Sequence, residues 1–139
     1  DASPDPETFI VSCLIEKEIG DIDDPEERRQ FLAESGLSAT GADRLNAAVY
    51  SAMGLLSFYT MGPLEVRAWS IRRGATAPEA AGKVHSDMQR GFIRAEVIAY
   101  DDLIQAGSEA EARTRGKMQL RGKDYVMQDG DICLFLFNA

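Results

Sequence analysis

The chain has 139 residues and a formal net charge of −8 at pH 7, with 45% hydrophobic and 27% charged residues. This composition is ordinary for a globular protein, and it excludes a disordered, collagenous or fibrous chain. The length allows one domain, or one small domain plus part of another. Two cysteines, Cys13 and Cys133, are too few and too far apart for a disulfide scaffold.

The negative charge belongs to the first half of the chain. Residues 1–63 hold 12 acidic and 4 basic side chains, whereas residues 64–139 hold 11 of each. Because phosphate contacts need basic groups, the first half is a poor candidate for nucleic-acid binding. The second half remains a candidate if its arginines cluster on one face.

The first half predicts mainly helical structure. Residues 8–11 form a short β-branched and aromatic run, which indicates a strand. Helices are predicted from the Ile15, Ile19 and Ile22 spacing, from the Asp24-Pro25 start to Gly36, and over about 42–53. The uncharged stretch 45–64 has the length of a membrane span, but its periodicity changes midway. We interpret it as a helix running into a strand.

The second half predicts strands around one main helix. Strands at 55–60 and 65–71 flank the short loop 61–64 and form a hairpin-like pair. A helix over 78–89 follows, with Ala81, Val84, His85 and Met88 on its apolar stripe. Further strands are predicted at 92–99, 117–120, 125–127 and 132–137, with short helices starting near Tyr100 and Ser108.

The last predicted strand is apolar on both faces, so it belongs in the middle of its sheet with a layer covering each side. The order of elements places one main helix across a small mixed sheet. This is an α+β architecture of the ubiquitin-like, β-grasp kind.

The sequence offers no catalytic or metal-binding constellation. Its Gly-Lys pairs lack the upstream Gly and the following Ser or Thr of a phosphate loop. One His and two distant Cys do not supply the three or four ligands of a zinc site. His85 lies on an apolar helical stripe, which favours a partly buried core histidine over a general base.

Five arginines form the most suggestive pattern. They come from strand and helix-end positions around one sheet, with Tyr59 and Trp69 interleaved: Arg67, Arg72, Arg73, Arg90 and Arg94. This combination fits contact with an RNA backbone beside stacking side chains. The alternative is a solvated face neutralised by Glu65, Glu79 and Glu96.

Several long motifs of the second half resemble the Obg-like ATPase (YchF) family. They are LSFYTMGPLEVRAW at 56–69, APEAAGKVHSD at 77–87, GFIRAEV at 91–97 with YDD at 100–102, and GKDYV at 122–126 with QDGD at 128–131. The resemblance implies that residues 55–139 are a TGS domain, a β-grasp module. With the first half of the chain included, the resemblance covers essentially the whole chain.

The same resemblance implies that residues 1–54 are the C-terminal end of a P-loop, Obg-type nucleotide-binding domain. Ser12-Cys13-Leu14-Ile15-Glu16 is similar to the family's S-A-K-[IL]-E segment beside the nucleotide base, which makes Ser12 and Cys13 candidate base-contacting residues. Leu14 stands where the family usually has Lys, so this position lacks the family's basic side chain. The phosphate loop and the ligands of magnesium are expected upstream of this segment, and we expect the chain to be a C-terminal fragment.

The family resemblance implies a parent protein that binds ATP, or GTP less well, with magnesium, hydrolyses it and associates with ribosomes in the cytoplasm. An organellar location stays open for a eukaryotic source. The given chain itself is expected to hold no cofactor, to perform no catalysis and to meet no membrane. It is expected to act as a regulatory module that binds RNA or the ribosome. The alternative is an intramolecular partner that docks on the nucleotide-binding domain and senses its state.

Overall fold

The computed structural model describes residues 10–62 and 65–138. The chain divides into two compact units, one up to Met53 and one from Gly54. Half of the predicted strand at 8–11 lies outside the described residues, and Ile10 and Val11 belong to no strand. Part of the predicted hairpin loop, at 63–64, also lies outside them.

The described part of the first unit is helical, as the sequence predicts. Its helices are α1 (Cys13–Gly20), α2 (Pro25–Glu34) and α3 (Gly41–Ala52). The oxygens of Ser12, Asp24 and Thr40 accept backbone N–H groups at the three helix starts. The Glu16 carboxylate accepts the backbone N–H of Gly41 at 2.6 Å, which ties α1 to the N-terminus of α3.

The second unit is an α+β module. Its elements are β1 (Leu55–Met61), β2 (Val66–Arg72), α4 (Ala77–Val84), α5 (Ser86–Arg90), β3 (Phe92–Ala99), α6 (Tyr100–Ala106), α7 (Glu109–Thr114), β4 (Gln119–Arg121) and β5 (Asp131–Phe137). Among the described residues the strands form one five-stranded sheet in the order β2-β1-β5-β3-β4. β1 and β5 are parallel, and the other neighbouring pairs are antiparallel.

The core of this unit lies between the sheet and α4. Phe58 of β1, Phe135 of β5 and Ala95 of β3 point to the same side, where they meet the fully buried Ala80 and Ala81 of α4. Val84 and Met88 pack against the same core. The placement of β5 between β1 and β3 confirms that the apolar last strand is central. We call the opposite side of the sheet the open face.

The structure corrects the helix predicted over 78–89. That stretch is two helices, because His85 between them is extended, with φ −160° and ψ 142°. His85 Nδ1 accepts the backbone N–H of Asp87 at 3.2 Å and so caps α5. Its imidazole is exposed, so the prediction of a core histidine is wrong.

The predicted strand at 125–127 is also absent. Val126 makes only an isolated bridge to Thr76, and β4 is a short strand displaced by one or two residues from the predicted 117–120. The segment 123–130 instead contacts β1: Asp129 Oδ1 accepts the backbone N–H of Ser57 at 2.8 Å, and Gly130 N–H donates to Ser57 O.

Candidate nucleic-acid interface

β2 is an edge strand, and this exposes the basic residues it carries. It pairs with β1 in the register Thr60↔Arg67, Phe58↔Trp69 and Leu55↔Arg72, and no strand lies on its other side in the sheet of the described residues. Because side chains alternate along a strand, Arg67 and Trp69 share one side of β2, and Arg72 lies on the other.

Arg67 and Trp69 form a fixed pair. The Arg67 guanidinium lies 4.3 Å from the centroid of the Trp69 ring, a cation–π contact, and Trp69 Nε1 donates to Thr60 Oγ1 at 2.9 Å. Trp69 also stacks with the buried Phe58, with 6.5 Å between ring centroids. The indole therefore has three neighbours, and the exposed Arg67 supplies the cationic one.

Arg72 is the last residue of β2, and Arg73 follows it. Arg73 N–H donates to Gly54 O at 2.8 Å, and Gly74 then turns the chain with φ 87°. Arg72 lies five residues from Arg67, a distance of about 17 Å along the strand. Lys83 of α4 lines the same surface hollow as Arg72.

Ion pairing separates these side chains from four of the seven other basic residues of the unit, whereas Arg94, Arg121 and Lys123 also make no ion pair within the described ranges. Arg90 pairs with Asp87, Arg113 with Glu96, Arg115 with Glu111 and Lys117 with Asp102. Within the described ranges, by contrast, Arg67, Arg72, Arg73 and Lys83 make no ion pair. We define the β2-edge surface as Arg67, Trp69, Arg72, Arg73 and Lys83.

The five predicted arginines do not form one face. Arg94 pairs in register with Leu136, next to the core residue Phe135, so its side chain belongs to the open face. Arg67 lies on the α4 side, with Trp69 and Phe58. Arg90 sits at the end of α5 beside Asp87. The expectation of a single contiguous arginine surface is therefore wrong: Arg72 lies on the same side of the sheet as Arg94 and opposite Arg67, and Arg67, Arg72 and Arg73 share only a position along or just after the edge strand.

The interleaved aromatics divide in the same way. Trp69 belongs to the β2-edge surface, whereas Tyr59 lies on the open face and approaches Tyr100, with ring centroids 6.5 Å apart. The alternative interpretation is a solvated face on which Glu65, Glu79 and Glu96 neutralise the five arginines. The contacts of Glu79 and Glu96 do not show such pairing. Glu96 pairs with Arg113, and Glu79 accepts the N–H and O–H of Thr76.

Sequence reasoning missed Lys83. It lies in a different element from Arg72, and only the crossing of α4 over the end of the sheet brings both to one hollow. The usable signal was its position in the last turn of a helix that follows β2 by four residues.

The candidate base-contacting residues occupy the start of α1. Ser12 is the N-cap, and its Oγ accepts the Ile15 N–H at a long 3.5 Å. Cys13 is exposed, and so is Leu14 with 67% of its surface accessible. Their contact with a nucleotide stays a prediction.

The buried titratable groups of the second unit are structural. Asp131 accepts hydrogen bonds from Tyr125 OH and Gln128 N, each at 2.9 Å, and burial raises its pKa above the usual carboxyl value. Burial also raises the pKa of the Cys133 thiol, which keeps it protonated and unreactive. In the part of the chain that the structure describes, no three His, Cys, Asp or Glu side chains converge on a metal position.

Comparison with known proteins decides the family. Residues 55–138 match the YchF-GTPase C-terminal family model, described as "Protein of unknown function (DUF933)". The chain belongs to the YchF family. It is 47% identical over 138 residues to the ribosome-binding ATPase YchF of Bacillus subtilis, covering 99% of this chain and 37% of that protein. It is 49% identical to the protein of the same name from Pasteurella multocida, covering 93% and 35%.

A solved YchF structure has the same fold. The YchF GTPase of Schizosaccharomyces pombe matches with a TM-score of 0.70 and 32% identity, over 91% of this chain and 33% of that one. The mixed sheet with α4 across it is the predicted α+β architecture and is consistent with a β-grasp (TGS) module. This chain spans about a third of the length of the YchF relatives that it matches. No helix within the described ranges is long and apolar enough to cross a membrane.

Proposed function

We propose that this chain is the RNA-facing part of a cytoplasmic, ribosome-associated YchF protein, and that its β2-edge surface contacts ribosomal RNA. The observation that carries the proposal is the set of basic side chains without ion pairs along β2, in a chain whose net charge is −8. The names of the relatives supply the ribosome as partner.

In this proposal the three arginines of the β2-edge surface contact two different parts of the RNA. Arg72 and Arg73 supply phosphate contacts from the end of the strand, where their side chains are exposed. The Arg67 guanidinium, in contact with the Trp69 ring, offers a planar group on which an unpaired base stacks. A few phosphate contacts release only a few counterions, so binding by this module alone is weak and sensitive to salt.

The nucleotide chemistry of the family belongs, in this proposal, to parts of the protein outside these residues. ATP or GTP would be bound with magnesium by a phosphate loop, which this sequence lacks. The chain then regulates or positions that chemistry through its RNA contacts and performs none of it.

Ribosome co-sedimentation tests the proposal. The double charge reversal Arg72→Glu/Arg73→Glu should lower ribosome affinity by about tenfold or more, because two phosphate contacts become repulsive. The control Arg94→Glu/Lys123→Glu makes the same change of charge away from the β2-edge surface and should stay within about twofold of the wild type. Equal losses in both variants, or none in either, contradict the proposed surface.

A second function, docking on the nucleotide-binding domain, is favoured by the open face. Val66, Leu120 and Leu134 are 67%, 58% and 48% exposed, and Met61 and Leu134 line an apolar hollow of about 510 Å³ beside them. In this case Leu134→Asp should lower the affinity for a separately produced nucleotide-binding domain and leave RNA binding unchanged. Arg72→Glu/Arg73→Glu should show the reverse pattern.

A further inference from the structure

The end of the β2-edge surface contains a concave site. A hollow of about 410 Å³ lies where α4 passes the end of β2. Its polar lining comes from Ser70, Arg72, Glu79 and Lys83, and Leu55 and Ile71 form its apolar wall. Ile71 is buried, so the wall is fixed by the core. Arg72 is the last residue of β2, and Lys83 lies in the last turn of α4.

The capping of α4 explains why Lys83 has no ion-pair partner among the residues that the structure describes. Glu79 lies four residues before Lys83, the spacing and order that normally favour a helical ion pair. Its carboxylate is instead turned to the helix start, where one oxygen accepts the Thr76 N–H at 2.6 Å and the Thr76 hydroxyl at 2.8 Å. No ion pair joins Glu79 and Lys83 in the structure, so the ammonium remains available to a ligand.

The charge of the hollow matches one phosphodiester. Arg72 and Lys83 bring two positive charges and Glu79 one negative charge, which leaves a single positive charge for a bound group to neutralise. A guanidinium and an ammonium together fit the oxygens of a phosphate. We infer that this hollow binds one backbone phosphate of RNA between Arg72 and Lys83, an inference that rests on the proposed RNA contact and makes Lys83 part of it.

The salt dependence of RNA binding measures this contact. The probe is a fluorescent single-stranded RNA of about 12 nucleotides titrated with the whole chain at several salt concentrations. Lys83→Gln removes one charge on a helix surface that tolerates Gln. It should reduce the slope of log affinity against log salt by about 0.7 and lower affinity about fivefold near 0.1 M salt. Lys123→Gln, an exposed loop lysine, should change neither quantity.

The outcomes separate this inference from the function on which it rests. If Arg72→Glu/Arg73→Glu abolishes RNA binding but Lys83→Gln keeps the wild-type slope, the phosphate site is refuted and the β2-edge surface stands. If the wild-type chain binds no RNA, both are refuted. Equal competition by a polyglutamate peptide would show a general anion site and would also overturn the assignment to RNA. Loss of slope in Lys83→Gln alone, without competition by the peptide, supports the site.

Discussion

At the scale of single residues, backbone approach decides which glycines are required. Asn138 N–H donates to Gly91 O at 2.9 Å, so the two chain segments lie against each other at the start of β3. A Cβ on Gly91 would overlap the Asn138 carbonyl, with its carbon only 2.9 Å away. A Cβ on Gly82 would meet the far end of the Gln89 side chain, which can rotate aside.

Gly91→Ala should therefore lower the free energy of unfolding by about 3 kcal/mol, because the backbone of Asn138, directly after β5, must shift. Urea denaturation measures the change. Gly82→Ala is the matched control and should change stability by no more than about 1 kcal/mol, since it also improves helix propensity. Similar losses in the two variants would contradict the close approach at Gly91.

The buried carboxyl of Asp131 predicts a pH effect. Its pKa is raised in the native state, chiefly by burial, so the native state binds more protons between the unfolded value of about 3.9 and the raised value. The stability that Asp131 contributes is therefore full at low pH and is lost as pH rises through the native pKa. Relative to Asp131→Asn, which does not titrate, the wild type should gain stability as pH falls from 7 to 4. Denaturation at several pH values tests this, and a constant difference, or one of opposite slope, would contradict it.

At the scale of elements, the sequence predicts the features that follow from a repeating apolar pattern. It does not predict features that depend on one local contact. The apolar run 132–137 correctly places β5 in the sheet centre, whereas the expected covering layer on both faces is incomplete, since Leu134 on the open face is 48% exposed. The single helix predicted over 78–89 is too long, because the apolar spacing continues across His85. The residues Ser86 and Asp87 start a new helix, α5, and this local start interrupts the predicted helix. The relative faces of Arg67 and Arg94 depend on register and on the bulge between Phe92 and Arg94, which periodicity cannot supply.

Ala81→Asp tests the packing of α4 against the sheet. Ala81 is fully buried against the sheet, so the carboxylate would be unpaired in the core and should cost about 3 kcal/mol or more of unfolding free energy. Lys83→Ala, on the exposed side of the same helix, should change stability by less than about 0.5 kcal/mol. Comparable thermal stability of the two variants would refute the packing of α4 on this sheet.

At the scale of the whole molecule, the proposed function places the nucleotide chemistry of the family outside this chain. The phosphate loop that the family needs is not in this sequence, and the buried thiol and carboxyl serve the fold. The purified chain should therefore hydrolyse neither ATP nor GTP above a buffer blank in a phosphate-release assay. Turnover that persists at constant specific activity through repurification would contradict this division.

The salt dependence of RNA affinity tests the central claim most directly, that the unpaired cations at the end of β2 hold RNA by its phosphates. Wild type and Arg72→Gln/Arg73→Gln are titrated with the same single-stranded RNA at several salt concentrations. The account predicts a slope of log affinity against log salt that is smaller by about 1.4 in the double variant, two lost phosphate contacts, with an unchanged melting temperature. Equal slopes in the two proteins would contradict it.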